Sequence, residues 1–208
     1  MLRPISSPSF VKVQAMTSRD LRPPAPPPPG VNPRLVAALG YARRGLAVIP
    51  LHGLERDTCS CRLRGECKSA GKHPRTKRGL KEASRDEGLI LHWWEKHPTS
   101  NVGISCGETS GGLIVLDVDP RNGGDGSLEK LTVQHGALPP TPSVLTGSGG
   151  KHYYFRGCAK TSHGGLGQGL DLQAEGAYVL APPSLHKSGR TYAWTVSPDQ
   201  QTFALLTE

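Results

Sequence analysis

The sequence predicts an α+β fold, because helical and strand-like patterns occupy separate stretches of the chain. Residues 32–45 and 86–97 carry apolar side chains at helical spacing, whereas short apolar runs broken by glycine follow from residue 101 onward. With 208 residues and 36% hydrophobic content, the chain is long enough for one substantial domain with a tail.

The amino-terminal leader, residues 1–32, includes a proline-rich run at 21–30. Proline lacks an amide donor and fixes φ, so we expect a disordered or polyproline-II leader followed by a folded domain over residues 33–208. Asn32 is an N-cap candidate, Pro33 suits a first helical turn, and Gly45 closes the predicted helix. Residues 46–50 then predict a short buried strand.

The remaining elements follow from the same patterns. The second predicted helix, 86–97, stops before Pro98, and a third is predicted at 127–135. Four apolar runs predict strands of one sheet, at 102–104, 113–119, 152–155 and 178–181.

The charge balance limits the classes of function. A formal net charge of +8 and a pI near 9.4 favour a polyanionic partner, and the alternative is a merely solvated basic surface. The sequence contains no apolar stretch of roughly 20 residues and no secretory signal pattern. We therefore expect a cytoplasmic protein without a membrane partner.

Two carboxylates end the most apolar predicted strand. Asp117 and Asp119 are two residues apart, so their side chains project from the same face of a strand. Close like charges need a cation, and Mg²⁺ or Mn²⁺ prefers such oxygen ligands in two-metal phosphoryl transfer. The alternative is a pair of acids that caps the strand end and the following turn.

A glycine-rich turn precedes the strand predicted at 152–155. Its backbone amides and the side chains that follow are typical of anion binding, and the alternative is a plain hairpin turn. The candidate anion-binding residues are Ser148, Gly149, Gly150, Lys151 and His152. Neither a P-loop nor a Rossmann turn is present.

A third acid, Asp171, lies between two leucines in a strand-like setting. A carboxylate among apolar neighbours needs a partner. That partner is either the same metal, with Asp171 as a third ligand, or an arginine in an ordinary salt bridge.

A cysteine-rich loop spans about residues 52–79. Cys59, Cys61, Cys67 and His73 are sufficient for a tetrahedral Zn²⁺ site of structural type, with His52 as the rival fourth ligand. The loop also carries basic residues that are candidates for contact with a template or primer backbone, and the alternative is a solvated loop without contact. These residues are Lys68, Lys72, Arg75, Lys77 and Arg78.

Taken in order, these motifs resemble the bifunctional primase-polymerase domain of the archaeo-eukaryotic primase superfamily, which occurs in replication proteins of plasmids, phages and integrated elements. The resemblance covers about residues 35–195. It depends on the order and spacing of the segments 45–50, 71–75, 101–104, 115–124, 146–152 and 176–184.

The resemblance implies an RRM-like catalytic sheet with a flanking α/β unit. It also implies that Asp117 and Asp119 are the paired metal-binding acids, that His152 binds the nucleotide and that Asp171 is the third acid. Similar proteins often have arginine shortly after the third acid, where this chain has Gln173. We expect Arg190 to supply charge to the nucleotide instead.

Three functions are consistent with these residues. The first is a template-directed nucleotidyltransferase that makes or extends primers from dNTP or NTP on single-stranded DNA. The second is a non-catalytic zinc-containing nucleic-acid-binding module, and the third is a metal-dependent phosphodiesterase. Since the chain has no Walker sequence, we expect any replicative helicase to act in trans or to come from a missing carboxyl-terminal part.

Overall fold

The computed structural model describes residues 30–206 and confirms the α+β class. The predicted leader lies outside the described residues apart from 30–32. The described chain forms three α-helices, which are α1 (Pro33–Arg43), α2 (Glu87–Lys96) and α3 (Gly124–His135). In this part of the chain, none of the helices has the length and apolar character needed to span a membrane.

The starts of α1 and α2 follow from their caps. The Asn32 side chain accepts a hydrogen bond from the Arg34 amide at 3.0 Å, and Asp86 accepts one from the Leu89 amide at 2.7 Å. Both helices therefore begin where the sequence predicts. The third helix begins three residues earlier than predicted, because a 3₁₀ turn at Pro120–Asn122 leads almost directly into α3.

The strands form two main sheets and a small hairpin. The strands are β1 (Val48–Leu51), β2 (Leu54–Glu55), β3 (Thr58–Cys59), β4 (Asn101–Ser105), β5 (Leu113–Val118), β6 (Ser143–Leu145), β7 (Lys151–Arg156), β8 (Ser162–His163), β9 (Leu170–Gln173), β10 (Tyr178–Ala181), β11 (Ala193–Val196) and β12 (Ala204–Leu205). The larger sheet has the order β11-β6-β7-β5-β9-β8, and β12 pairs in parallel with the end of β7. The smaller sheet has the order β1-β4-β10, and β2 pairs with β3.

The prediction of one sheet is wrong for two of the four strands. β4 and β10 pair with each other, and β4 also pairs with β1, whereas β5 and β7 belong to the larger sheet. Every residue of β4 is buried, so its apolar run fits a buried strand of either sheet. The apolar pattern therefore identified the strands but not their partners.

The two faces of β5 contact different parts of the core. Leu113 and Val115 pack in the core that joins the larger sheet to α1, α2 and the smaller sheet. Ile114, Leu116 and Val118 pack on the opposite face, against α3. Because side chains alternate along a strand, Asp117 projects on the side of the smaller sheet.

Candidate active site

Three neighbouring strands bring the predicted acids and the histidine together. Asp117 on β5 pairs directly with His152 on β7 and with Asp171 on β9. Residues directly opposite in a sheet project from the same face, with Cβ atoms about 5 Å apart. Asp119 lies two residues further along, so the four predicted catalytic residues form one cluster at the end of the core.

The electrostatics of this cluster centre on Asp117. Burial, and then the nearby charges of Asp171 and Asp119, raise the pKa of Asp117 from 3.8 to about 6. In contrast, hydrogen bonding to Arg121 holds the pKa of Asp119 below its ordinary value. Burial and the repulsion within the cluster therefore both disfavour the ionised form of Asp117, and a bound cation would relieve that cost.

Asp119 has a second role in the local turn. Arg121 donates two side-chain hydrogen bonds to its carboxylate, from Nε at 2.9 Å and from an Nη at 2.8 Å. The Arg121 amide and the Asn122 side-chain amide donate to it as well, at 3.1 and 3.0 Å. The capping alternative thus describes part of what Asp119 does, while its carboxylate still faces the cluster.

Within the described residues, Asp171 contacts a histidine and a backbone amide rather than an arginine, and these contacts leave the metal alternative open. His163 on β8 pairs with Asp171, with Nδ1 at 3.3 Å from Oδ2, and the Gly164 amide donates to Oδ1 at 3.0 Å. No arginine within the described residues forms a salt bridge with Asp171. Sequence reasoning missed His163, because a two-residue strand gives no periodic signal and only the register reveals its neighbour.

Two cavities share Asp117 and Asp119. The larger cavity, of about 400 Å³, is lined by Asp117, Asp119, Asn122, His163, Gly164, Gln168, Gly169 and Asp171. The smaller cavity, of about 130 Å³, is lined by Lys72, Asp117, Val118, Asp119, Arg121, Thr146, Ser148, Gly150, His152 and Tyr192. Acids therefore dominate the first cavity, whereas the second also has cations and hydrogen-bond donors.

His152 is buried beside the smaller cavity. It is 5% exposed, and burial together with the charge of Lys72 lowers its pKa to about 3. The imidazole is therefore neutral near pH 7, with Nε2 at 3.6 Å from Asp117 Oδ1. Its Nδ1 has no hydrogen-bond partner among the residues that the structure describes, and the Tyr192 ring lies 5.9 Å away.

The glycine-rich turn lies at the smaller cavity but does not provide the expected amides. The Gly149 amide donates to the Thr146 carbonyl at 3.0 Å, and the Gly150 amide donates to the Thr146 hydroxyl at 2.9 Å. These two donors are used inside the turn, which corrects the predicted amide nest. A Cβ at Gly150 would lie 2.5 Å from the Val118 carbonyl, so glycine allows the turn to pack beside the acids.

Two predicted nucleotide contacts lie apart from the smaller cavity. Lys151 pairs with Val118, whose side chain faces α3, so strand alternation directs Lys151 to the face opposite His152. Arg190 donates from Nε to the Gly147 carbonyl at 3.0 Å and therefore stabilises the turn by a hydrogen bond to its backbone. The structure therefore does not bring Lys151 to the smaller cavity, and it gives Arg190 a contact that supports the turn.

The cysteine loop brings its four proposed ligands together. The ligand atoms of Cys59, Cys61, Cys67 and His73 all lie within 4.8 Å of one another. The Sγ atoms of Cys59 and Cys67 are each 3.5 Å from His73 Nε2, and tetrahedral zinc requires S···N distances of about 3.5 Å. His52 instead stacks on His73 and contacts the Ser60 hydroxyl at 3.0 Å, so it is not the fourth ligand of this cluster.

Comparison with known families agrees with this arrangement. Residues 38–206 match the family described as bifunctional DNA primase/polymerase, N-terminal. The chain belongs to this primase/polymerase family. Membership indicates a nucleotidyltransferase of the primase and polymerase class, for which DNA and nucleotides are the substrates. No curated protein matches the chain.

Proposed function

We propose that the protein is a template-directed primase and DNA polymerase that makes or extends primers by two-metal phosphoryl transfer. The observation that supports this most strongly is the acid cluster beside a cavity lined with cations and hydrogen-bond donors. A triphosphate needs cationic and donor groups, and the reacting phosphate needs divalent metal. The cations and hydrogen-bond donors of the smaller cavity therefore suit the triphosphate, and Asp117 and Asp119, which line both cavities, suit the metal.

The residues present fit Mg²⁺ or Mn²⁺. Asp117, Asp119 and Asp171 supply oxygen ligands from two neighbouring strands and the adjoining turn, and burial together with the charges of Asp171 and Asp119 raises the pKa of Asp117. When bound, such ions neutralise charge on the reacting phosphate and activate the attacking hydroxyl oxygen.

The chain's own donors have separate roles in this proposal. A neutral His152 donates a hydrogen bond without adding charge, and burial fixes its ring beside Asp117. The Ser148 hydroxyl and Tyr192 line the same cavity and orient the bound phosphates. At about 130 Å³ the cavity is below the roughly 300 Å³ of ordinary ligand pockets, so it takes phosphate groups and leaves the nucleoside outside.

The second metal in the proposal is a structural Zn²⁺. Cys59, Cys61, Cys67 and His73 fill a tetrahedral shell, so no open position remains for water or substrate. The loop that they close is long and contains only short strands and turns. We infer that zinc stabilises this loop, because few apolar contacts do so.

The proposed partners are single-stranded DNA template, a primer and dNTP or NTP. A net charge of +8 favours the nucleic acid. Following the resemblance, we assign the protein to the replication of a plasmid, phage or integrated element, with any replicative helicase supplied in trans or by a further part of the protein.

One experiment separates this function from a DNA-binding module and from a phosphodiesterase. The purified protein is incubated with a labelled primer on a single-stranded template, with nucleotides and Mg²⁺ or Mn²⁺. Extension of the primer is the expected result. Binding without extension would support the non-catalytic module, and shortening of the primer would support the phosphodiesterase.

A further inference from the structure

Lys72 lies in the smaller cavity although its sequence neighbours belong to the zinc loop. It precedes the zinc ligand His73, yet it lines the same cavity as Asp117, Asp119 and His152. It is partly buried, and among the described residues its ammonium group has no ion-pair or hydrogen-bond partner. A lysine ammonium group that lines a cavity and has no protein partner is available to bind an anionic ligand there.

The backbone around Lys72 is held from three sides. The Asn101 side-chain amide on β4 donates to the Gly71 carbonyl at 2.8 Å. The Tyr178 hydroxyl on β10 donates to the Lys72 carbonyl at 2.9 Å, and the His52 amide donates to the His73 carbonyl at 2.9 Å. These bonds come from the smaller sheet and the segment that follows β1, so Lys72 is fixed relative to the core.

Lys72 lines a cavity, whereas the other basic residues proposed for template contact in its loop do not. Lys68, Lys77 and Arg78 are exposed, and none of them lines either cavity. Arg75 is turned toward the loop itself, where its guanidinium donates to the Ser60 hydroxyl at 2.5 Å. Exposed cations suit a template backbone, whereas an ammonium group inside a cavity with two acids suits a smaller, metal-associated anion.

With the proposed function, the acids and cations around Lys72 favour a phosphate group as that anion. Lys72 lines the cavity with the carboxylates of Asp117 and Asp119, and the other cation of the lining, Arg121, is already paired with Asp119. An anion placed between Lys72 and metal bound to the acids would be compensated on both sides. A triphosphate is the polyanion that brings such a group to a polymerase site.

We propose that Lys72 binds the β- and γ-phosphates of the incoming nucleotide. This inference rests on the proposed function. In the reaction, the primer 3′ oxygen bonds to the α-phosphorus, the bond from that phosphorus to the bridging oxygen breaks, pyrophosphate leaves and the hydroxyl proton passes to water. The Lys72 ammonium group stabilises the charge that develops on the leaving pyrophosphate.

The test compares Lys72→Ala, Lys72→Arg and the control Lys130→Ala, which removes an exposed lysine of α3. Primer extension is measured against nucleotide concentration, with saturating template and metal. Loss of one charge-assisted contact should raise the nucleotide KM of Lys72→Ala by about 10-fold to 100-fold. Lys72→Arg should recover most of this loss, and Lys130→Ala should match the wild type.

Two further measurements distinguish the proposal from its rivals. Lys72→Ala should weaken direct binding of a nucleoside triphosphate much more than binding of the nucleoside monophosphate, while gel-shift affinity for single-stranded DNA changes little. Loss of DNA affinity with an unchanged nucleotide KM would overturn the inference and make Lys72 a template contact. If the wild type extends no primer and binds no nucleotide, the proposed function itself fails, which is a separate result.

A milder variant tests the placement of Lys72 with less risk of misfolding. Tyr178→Phe removes only the hydroxyl that holds the Lys72 carbonyl. It should raise the nucleotide KM by about threefold to tenfold, the effect of one neutral hydrogen bond, with kcat and thermal stability near wild type. An unchanged nucleotide KM in a folded Tyr178→Phe protein would contradict the positioning of Lys72 by this bond.

Discussion

Without bound Mg²⁺ or Mn²⁺, Asp117 should make the protein less stable than it would be with a neutral side chain. The rise of its pKa from 3.8 to about 6 corresponds to roughly 3 kcal/mol if no solvent screens the carboxylate. Because 36% of the side chain remains exposed, solvent reduces the repulsion, and we expect about 1 kcal/mol. Asp117→Asn, which keeps the shape and removes the charge, should therefore raise the Tm measured without Mg²⁺ or Mn²⁺ by about 2–4 °C.

The pH dependence gives this prediction a sign. Near pH 7.5 (about 1.5 units above the raised pKa), Asp117 is ionised in the native and unfolded states, and the native state carries the full penalty. As the pH falls through about 6, the native carboxyl takes up its proton before the unfolded chain does. The advantage of Asp117→Asn should therefore shrink below about pH 6 and disappear near pH 4.

Thermal unfolding of zinc-loaded protein without added Mg²⁺ or Mn²⁺, followed by circular dichroism across this pH range, measures the effect. Asp57→Asn is the matched control, because Asp57 is exposed and has a positive φ of 62°, which asparagine also tolerates. Its Tm should change little. A lower Tm for Asp117→Asn than for the wild type, both without added Mg²⁺ or Mn²⁺ near neutral pH, would refute the penalty that burial and the neighbouring acids impose on the Asp117 carboxylate.

Two other predictions concern the zinc loop and the histidine. Cys67→Ser should lower both the zinc content and the Tm. The control is Cys158→Ser, which replaces an exposed cysteine outside the cluster and should change neither. Wild-type protein that contains no zinc by metal analysis would contradict the site. His152→Ala should raise the nucleotide KM by about tenfold or more while gel-shift binding to template persists, and equal loss of both would indicate misfolding or a template role.

The sequence predicted the helices well because their ends carry local chemical signals. The side chains of Asn32 and Asp86 bond to backbone amides within their own helices, so the start of each helix is visible in a few neighbouring residues. Strand partners depend instead on distant segments. The apolar run of Tyr178–Ala181 would pack in either sheet, and only the fold determines that it pairs with β4.

The acid cluster was predictable for a related reason. Asp117 and Asp119 are linked by strand alternation alone, and the resemblance added His152 and Asp171. Other features depend on three-dimensional neighbours that the sequence does not reveal. Lys72 lines a cavity with the acids although it comes from another segment, and the amides of Gly149 and Gly150 are used by Thr146 inside the turn.

The most direct test of the account is primer extension by the double variant Asp117→Asn, Asp119→Asn. Asparagine preserves side-chain shape and can still cap the turn after residue 119, so the fold should remain intact. Removing two negative charges from a basic protein should leave single-stranded DNA affinity unchanged or higher, while extension with Mg²⁺ or Mn²⁺ falls by about 10³-fold or more. Near-wild-type extension by the folded double variant would contradict the assignment of these acids to the active site.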